Sequence, residues 1–372
     1  EIYLPAFETA VKKSQPYTVM CSYNKINGTY ASENPWLLTE VLRDEWGFKG
    51  YVMSDWGAVN ERVPGLKAGL DLDESVLDQA VERILRITFT WLDNREKQNL
   101  TLEADHETAR RIAEESMVLL KNENVLPLSS SENVVFIGGF AKKPRYQGGG
   151  SSHINSFRVD SALEAVKGIA EVSYAEGFSS SKDFYDEKLA AEAVAAAKKA
   201  DKAVIFAGLP DSFESEGYDR PHMRLPECQD RLIYEIAKVQ PNTIVVLHNG
   251  SPVEMPWKDD VKGLLEAYLG GQAGGSAVVN ILYGKVNPSG KLAETLPIKL
   301  SDNPSYLNFA EKEKVNYSEG VFVGYRYYDA KEMEVAFPFG HGLSYTTFKY
   351  SNLKLDRTEM TDQDTLTVSV DV

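Results

Sequence analysis

The chain has 372 residues, 43% of them hydrophobic and 26% charged, a balance that belongs to a folded globular protein long enough for two or more domains. Its formal net charge of −15 argues against a nucleic-acid or anionic-membrane partner, and no apolar run reaches membrane-spanning length. Five histidines and two cysteines show no metal-ligand spacing. Cys21 and Cys228 fall in separate predicted domains, which predicts buried thiols rather than a disulfide framework.

The chain opens inside an amphipathic helix marked by Ile2, Leu4, Phe7, Ala10 and Val11. No leader sequence is legible, so cytoplasmic and secreted locations both stay open. Val19-Met20-Cys21 then reads as a strand that runs into a polar loop through Ser22, Tyr23, Asn24 and Gly28. Next comes a helix with Asn34 as N-cap, Pro35 at the first helical position, Leu38, Val41 and Leu42 on one apolar face, and Gly47 as the stop. The apolar run Gly50-Tyr51-Val52-Met53 reads as a buried parallel strand, completing one βαβ step of a parallel barrel or sheet.

Ser54-Asp55-Trp56-Gly57 closes that strand. A carboxylate at the C-terminal mouth of a barrel strand is where such folds place catalytic groups, and the following indole offers a flat face to a ring-shaped substrate. On an isolated Ser-Asp, capping of the next turn is the simpler role. Tyr23, on the neighbouring strand mouth, is placed to donate its hydroxyl to Asp55 or to a substrate oxygen; a core tyrosine is the alternative.

A helix through Ile84, Ile87 and Leu92 ends this first region, and the polar stretch from Asp93 to Asp105 reads as a linker, with Asp105 as N-cap of the next helix. That helix carries Ile112, Ser116, Val118 and Leu119. Strand-like runs follow at Val134–Ile137, Glu171–Tyr174, Ala203–Ala207, Thr243–Leu247 and Gly263–Tyr268. They alternate with helical patterns at Leu163–Ile169, Glu187–Ala200, Gln229–Val239 and Ser276–Tyr283, which predicts a mostly parallel sheet sandwiched by helices. From Lys291 the pattern breaks into a Pro-, Asn- and aromatic-rich connector, and from about Tyr345 period-two alternation signals β-structure. The run Gly148-Gly149-Gly150-Ser151-Ser152 lacks both nucleotide-binding glycine spacings, so phosphate cradling is a poor reading of it.

The segments VMCSYNKING (19–28), LLTEVLRDEWGFKGYVMSDWGAV (37–59), AGLDL (68–72), KPRYQGGGSSHIN (143–155), ESEGYDR (214–220) and FPFGHGLSYTTF (337–348) occur in the order found in family 3 glycoside hydrolases, which this chain resembles over nearly its whole length. The resemblance implies the C-terminal part of a (β/α)8-type barrel over 1–92, a linker over 93–105 and an α/β sandwich domain over 106–290. It further implies a wrapping connector over 291–344 and the start of a fibronectin-III-like domain over 345–372. It also implies that the first part of the barrel is absent, with an Asp, an Arg and a Lys-His pair that bind sugar hydroxyls, and that a further stretch is missing after Asp73. A fragment, a gap in the sequence and a degraded copy all fit that pattern.

By the same resemblance the protein is a retaining exo-acting β-glucosidase acting on small β-glycosides or oligosaccharides, with Asp55 as nucleophile and Glu216 as acid/base on a loop over the barrel mouth. Glu214, one residue away, is the second choice, because a Glu pair in a loop gives no ranking of its own. Arg145 and Ser152 are expected near the substrate beside Tyr23 and Trp56, and Arg220 with Asp219 is expected to form the ion pair that holds the loop. An acid working near neutrality needs its pKa raised, which burial and the charge of Asp55 would do for Glu216. His153, His222 and His341 are read as structural, no cofactor or metal is expected, and a homo-oligomer is compatible with the sequence. β-Xylosidase or arabinofuranosidase activity is the nearest alternative, the N-acetylhexosaminidase branch fits less well, and a non-catalytic sugar-binding fragment is the rival from another class.

Overall fold

Short apolar runs flanked by turn residues form most strands of the molecule, described here in a computed structural model covering residues 1–71, 77–95, 101–309 and 314–372. The chain divides into two units, Glu1–Asn99 and Leu100–Val372.

In the first unit, helix α1 (Leu4–Ser14) leads to strand β1 (Thr18–Cys21), and a small hairpin of β2 (Lys25–Ile26) and β3 (Thr29–Tyr30) follows. Strand β4 (Tyr51–Ser54) pairs parallel with β1, with Val52 opposite Val19 and Ser54 opposite Cys21. The crossover helix, Trp36–Glu45, is wound in the wide π form and buries the expected Leu38, Val41 and Leu42. The Asn34 side chain caps it by accepting from the Leu37 N–H at 3.1 Å. Only glycine fits at position 50, where a Cβ would lie 2.2 Å from the Tyr17 carbonyl oxygen. Helix α2 (Arg62–Ala68) and helix α3 (Leu77–Asp93) complete the unit. The amphipathic face expected of α1 is only partly used: Val11 is buried, whereas Phe7 is 62% exposed. The stretch around Asp73 expected to be shortened falls largely on residues outside those described, as does the middle of the 93–105 linker.

A buried charge holds this unit together. The Asp71 side chain is fully buried and accepts from the Val52 N–H at 2.6 Å. Its two oxygens also meet Arg43 and Arg83, each at 2.5 Å. Arg43 further donates to the carbonyls of Gly50 and Gly69, both at 3.0 Å. A buried carboxylate is tolerable only with such partners, and here they tie β4 to the crossover helix and to α3.

In the second unit, helix α4 (Leu102–Ser116) precedes β5 (Val118–Asn122) and β6 (Val134–Ile137). Helix α5 (Ala162–Ala165), β7 (Val172–Ala175), α6 (Glu187–Lys199) and β8 (Lys202–Gly208) follow. The sheet unit then closes with α7 (Glu227–Ala237), β9 (Thr243–His248), β10 (Gly263–Glu266) and α8 (Gly274–Leu282). The six strands lie in the order β5-β10-β9-β8-β6-β7, all parallel except β5. Side chains alternate between two cores. Val135, Ile137, Ile205 and Val245 face the helices α6 and α7, while Val134, Phe136, Val204 and Val246 face α4, α5 and α8. The alanines of α6 (Ala190, Ala193, Ala197) let that helix sit close against the sheet.

Two expectations need correction. The helix expected to carry Val118 and Leu119 ends at Ser116, and Val118–Asn122 is the antiparallel edge strand β5. A short, wholly apolar run buried on both faces has no period to separate strand from helix. Nor is Asp105 the cap: α4 begins at Leu102 after Thr101, and Asp105 lies in the first turn, where its charge still complements the helix dipole. After α8 the chain returns to the sheet by way of helix α9 (Tyr325–Ala330) and a bridge between Leu296 and Phe337. It then lies along β5, with the Leu343 N–H donating to the Leu119 carbonyl at 2.8 Å and the His341 ring 2.8 Å from the Leu120 carbonyl. This covers an edge that would otherwise present open backbone groups. Strands β11 (Ser351–Leu355) and β12 (Val368–Asp371) form a final antiparallel ribbon.

Candidate active site

In the first unit, β4 extends its ladder by one bond beyond Ser54, the Asp55 N–H donating to the Cys21 carbonyl at 3.1 Å. This fixes Asp55 at the C-terminal mouth of a parallel strand. The carboxylate is half-buried and accepts from the Trp56 N–H at 2.8 Å, which shapes the turn after the strand. The Tyr23 hydroxyl donates to the Trp56 carbonyl at 2.6 Å, bracing the turn that carries Asp55. The Trp56 indole itself is 91% exposed. Burial, with the charge of Asp55 adding to it, pushes the nearby Cys21 thiol up against an opposing hydrogen bond from its own backbone.

In the second unit, strand order reverses between β6 and β8, because the chain leaves β6 for β7 on one side and later proceeds from β8 to β9 on the other. Ligand sites of open α/β sheets form at the carboxyl ends of the strands flanking such a switch point. The loop after β6 carries Arg145 and Gly148–Ser152, and the loop after β8 carries Glu214 and Glu216. The topology therefore explains why two segments about 65 positions apart meet.

Their contacts are specific. Glu216 is exposed and accepts from both the N–H and the hydroxyl of Ser151, each at 2.5 Å. Its own N–H reaches the Gly149 carbonyl at 3.4 Å. Gly150 has φ +87°, and a Cβ there would stand 2.5 Å from Glu216 Cβ and Oε2, so glycine is required for the turn and for the approach. Ser152, singled out from the sequence, bonds only its own loop, its hydroxyl lying 3.5 Å from the Gly149 carbonyl.

The fold directs three further side chains of this region. Arg145 is buried and points inward, donating to Glu214 Oε2 at 2.8 Å, the Glu214 carbonyl at 2.7 Å and the Leu209 carbonyl at 2.5 Å. Glu214 also accepts from the Gly250 N–H at 2.9 Å and from the Ser251 hydroxyl, and this set of partners anchors the loop. Arg220 does not pair with Asp219 but donates to the Pro252 carbonyl at 2.7 Å; the ion pairs holding the loop are Arg145–Glu214 and Arg145–Asp211. The acidity of Glu216 also runs opposite to the expectation. The Ser151 hydroxyl first, and the Ser151 N–H second, hold its carboxyl below the usual range, with burial opposing them.

Sequence reasoning missed a buried polar group beside these loops. Glu266, at the end of β10, accepts from the Tyr268 N–H at 3.0 Å and from Asn249 at 3.2 Å, and burial pushes its pKa up to about 8. Burial likewise lowers His248, at the end of β9, to about 4. A charged residue closing an apolar strand run was the available signal for both. Of the histidines read as structural, His222 and His341 pack against Phe213 and Phe337. Cys21 and Cys228 are both buried free thiols. Among the described residues no group of three or more His, Cys, Asp or Glu side chains is placed to hold a metal ion.

The sequence profile of the glycosyl hydrolase family 3 C-terminal domain matches residues 117–345, and that of the family 3 N-terminal domain matches residues 1–72. The chain belongs to glycoside hydrolase family 3. It is 55% identical over 402 residues to the thermostable β-glucosidase B of Acetivibrio thermocellus, covering 100% of this chain and 53% of that protein. To the exo-α-(1→6)-L-arabinopyranosidase of Bifidobacterium longum it is 44% identical over 394 residues, covering 96% of this chain and 52% of that one. The crystal structure of a family 3 β-glucosidase from Bifidobacterium adolescentis superposes with a TM-score of 0.91 at 42% identity, over 100% of this chain and 58% of that one. The chain thus spans about half the length of the curated relatives it matches.

Proposed function

We propose that the protein is a retaining, exo-acting β-glycosidase, a β-glucosidase that releases terminal β-D-glucose from small glycosides or oligosaccharides. The observation that carries this reading is the 55% identity, along the whole of this chain, to a protein named a β-glucosidase. Retention needs two carboxyl groups about 5–5.5 Å apart, one to attack the anomeric carbon and one to protonate the leaving oxygen. Asp55 takes the first role and Glu216 the second. Attack by Asp55 forms a glycosyl ester as the leaving oxygen accepts the Glu216 proton; Glu216 then removes a proton from the water that hydrolyses the ester. The Trp56 indole gives the sugar's C–H face an apolar platform, and Tyr23 steadies the turn beneath it. Arg145 and Glu214 hold the Glu216 loop from behind.

The same reading takes the first unit as part of a (β/α)8-type barrel over 1–92, followed by a linker over 93–105 and an α/β sandwich domain over 106–290. A connector over 291–344 then leads to the first strands of a fibronectin-III-like domain. The parallel β1–β4 pair with its crossover helix supports the first assignment, and the antiparallel ribbon supports the last.

A second reading, release of a pentose, is favoured by the 44% identity to an L-arabinopyranosidase. The ratio of kcat/KM for aryl β-D-glucosides and aryl α-L-arabinopyranosides decides between them: a ratio well above one supports the glucosidase, a ratio well below one the pentosidase. Azide tests the acid/base. It should restore turnover to Glu216→Ala, as a β-glycosyl azide product, and leave Asp55→Asn inactive; rescue of neither would remove Glu216 from the role.

A further inference from the structure

Glu216 has a paradox built into its surroundings. A general acid must carry a proton, yet this carboxylate sits against two donors from one residue, the N–H and the hydroxyl of Ser151, both at 2.5 Å. Hydrogen bonds to the charged form of an acid favour that form. The contact is built, not incidental. Gly150, at φ +87°, turns the loop so that the Ser151 N–H faces Glu216, and a Cβ at 149 or 150 would collide with Ser215 or Glu216 at 2.5 Å. The Glu216 N–H returns a bond to the Gly149 carbonyl.

Other ionisable groups on the two loops have separate occupations. Arg145 is turned to Asp211 and Glu214, and the Tyr218 hydroxyl donates to the Asp211 carbonyl. His153 and Asp219 are exposed. The causes that set the acidity of Glu216 are the two Ser151 bonds and burial.

We propose that Ser151 is a positioning residue for Glu216: its N–H and hydroxyl aim the carboxyl and favour its charged form, so they oppose the proton donation that hydrolysis needs. The proposal rests on the reading of Glu216 as the acid/base. In the proposed reaction the donor is the protonated carboxyl, its proton taken from solvent. That proton passes to the glycosidic oxygen as the C1–O bond breaks, with the bonding pair going to the oxygen. The carboxylate left behind then activates water. Ser151 thus holds the carboxyl in place and sets part of its acidity.

The test is a ¹³C NMR titration of the Glu216 carboxyl in the intact protein, assigned with Glu216→Gln, for wild type, Ser151→Ala and Ser151→Thr. Ser151 is exposed on a loop, so both variants should fold. Loss of the hydroxyl should raise the Glu216 pKa by about one unit, and threonine, which keeps a hydroxyl, should restore it. The alkaline limb of kcat/KM for a β-glucoside with a poor leaving group should move up by the same amount in Ser151→Ala and return in Ser151→Thr. An unmoved titration in Ser151→Ala overturns the proposal whatever the activity. A titration that moves while the alkaline limb stays in place overturns Glu216 as the acid, and with it the catalytic half of the proposal. Movement of both, reversed by threonine, supports it.

Discussion

Asp55 and Glu216 are held in place by opposite means. Asp55 is the residue after β4, fixed by one ladder bond to Cys21 and by a turn of its own making. Its geometry follows from a strand and that strand's parallel partner. Glu216 lies eight residues beyond β8, and what fixes it comes from elsewhere in sequence: Ser151 and Gly149 in front, Arg145, Gly250 and Ser251 behind through Glu214. In the proposed roles, a nucleophile that must meet one carbon would gain from a rigid element, and an acid/base that must change its protonation state would gain from a loop.

The largest expected effects test the two ends of that comparison. Asp55→Asn should lower kcat by about 10⁴-fold or more, with the fold intact by circular dichroism, since no neighbouring group replaces a covalent nucleophile. Glu216→Ala should cost about 10²–10⁴-fold on substrates with poor leaving groups and far less on activated aryl glycosides, where little protonation is needed. Equal losses on both substrate types would place Glu216 outside proton transfer.

Next in size is stability within the Asp55 unit. Asp71→Ala leaves Arg43 and Arg83 without their shared carboxylate and frees the Val52 N–H, and should destabilise that unit by about 3–5 kcal/mol, read from denaturant unfolding. On the Glu216 side, Arg145→Lys keeps the charge but loses the forked contacts to Glu214. It should lower kcat with little change in KM; a change confined to KM would instead put Arg145 on the substrate.

The smallest effect concerns pH. Burial pushes Asp230, which accepts from the Trp257 indole N–H at 2.7 Å, up to about 7. An acid whose pKa is raised on folding binds its proton more tightly in the native state, so stability falls as pH rises from about 4 and levels off above about 7. Asp230→Asn keeps the acceptor and removes the titration, and should flatten that slope in Tm measured from pH 4 to 8; an unchanged slope would assign it to other groups.

The comparison also explains what the sequence revealed. The strands around Asp55 and most of the parallel strands β6 to β10 are short apolar runs between turn residues, and their positions could be read from that pattern. The edge strand β5 could not, because Met117-Val118-Leu119-Leu120 is apolar throughout and carries no period. Asp55 was legible as a strand-end carboxylate. Glu216 was not separable from Glu214 by residue type, and only the Arg145, Gly250 and Ser251 contacts, set by distant strands, show that Glu214 is the anchor. For the same reason Arg220 was expected at Asp219: the sequence shows charge and spacing, whereas direction comes from the fold.

The most direct test of the account is covalent trapping. The intact protein would be incubated with a 2-deoxy-2-fluoro-β-glucoside bearing a good leaving group, and the adduct located by peptide mass spectrometry. The account predicts a fluoroglycosyl ester on the Val52–Asn60 peptide at Asp55. An ester on any other carboxylate would contradict it.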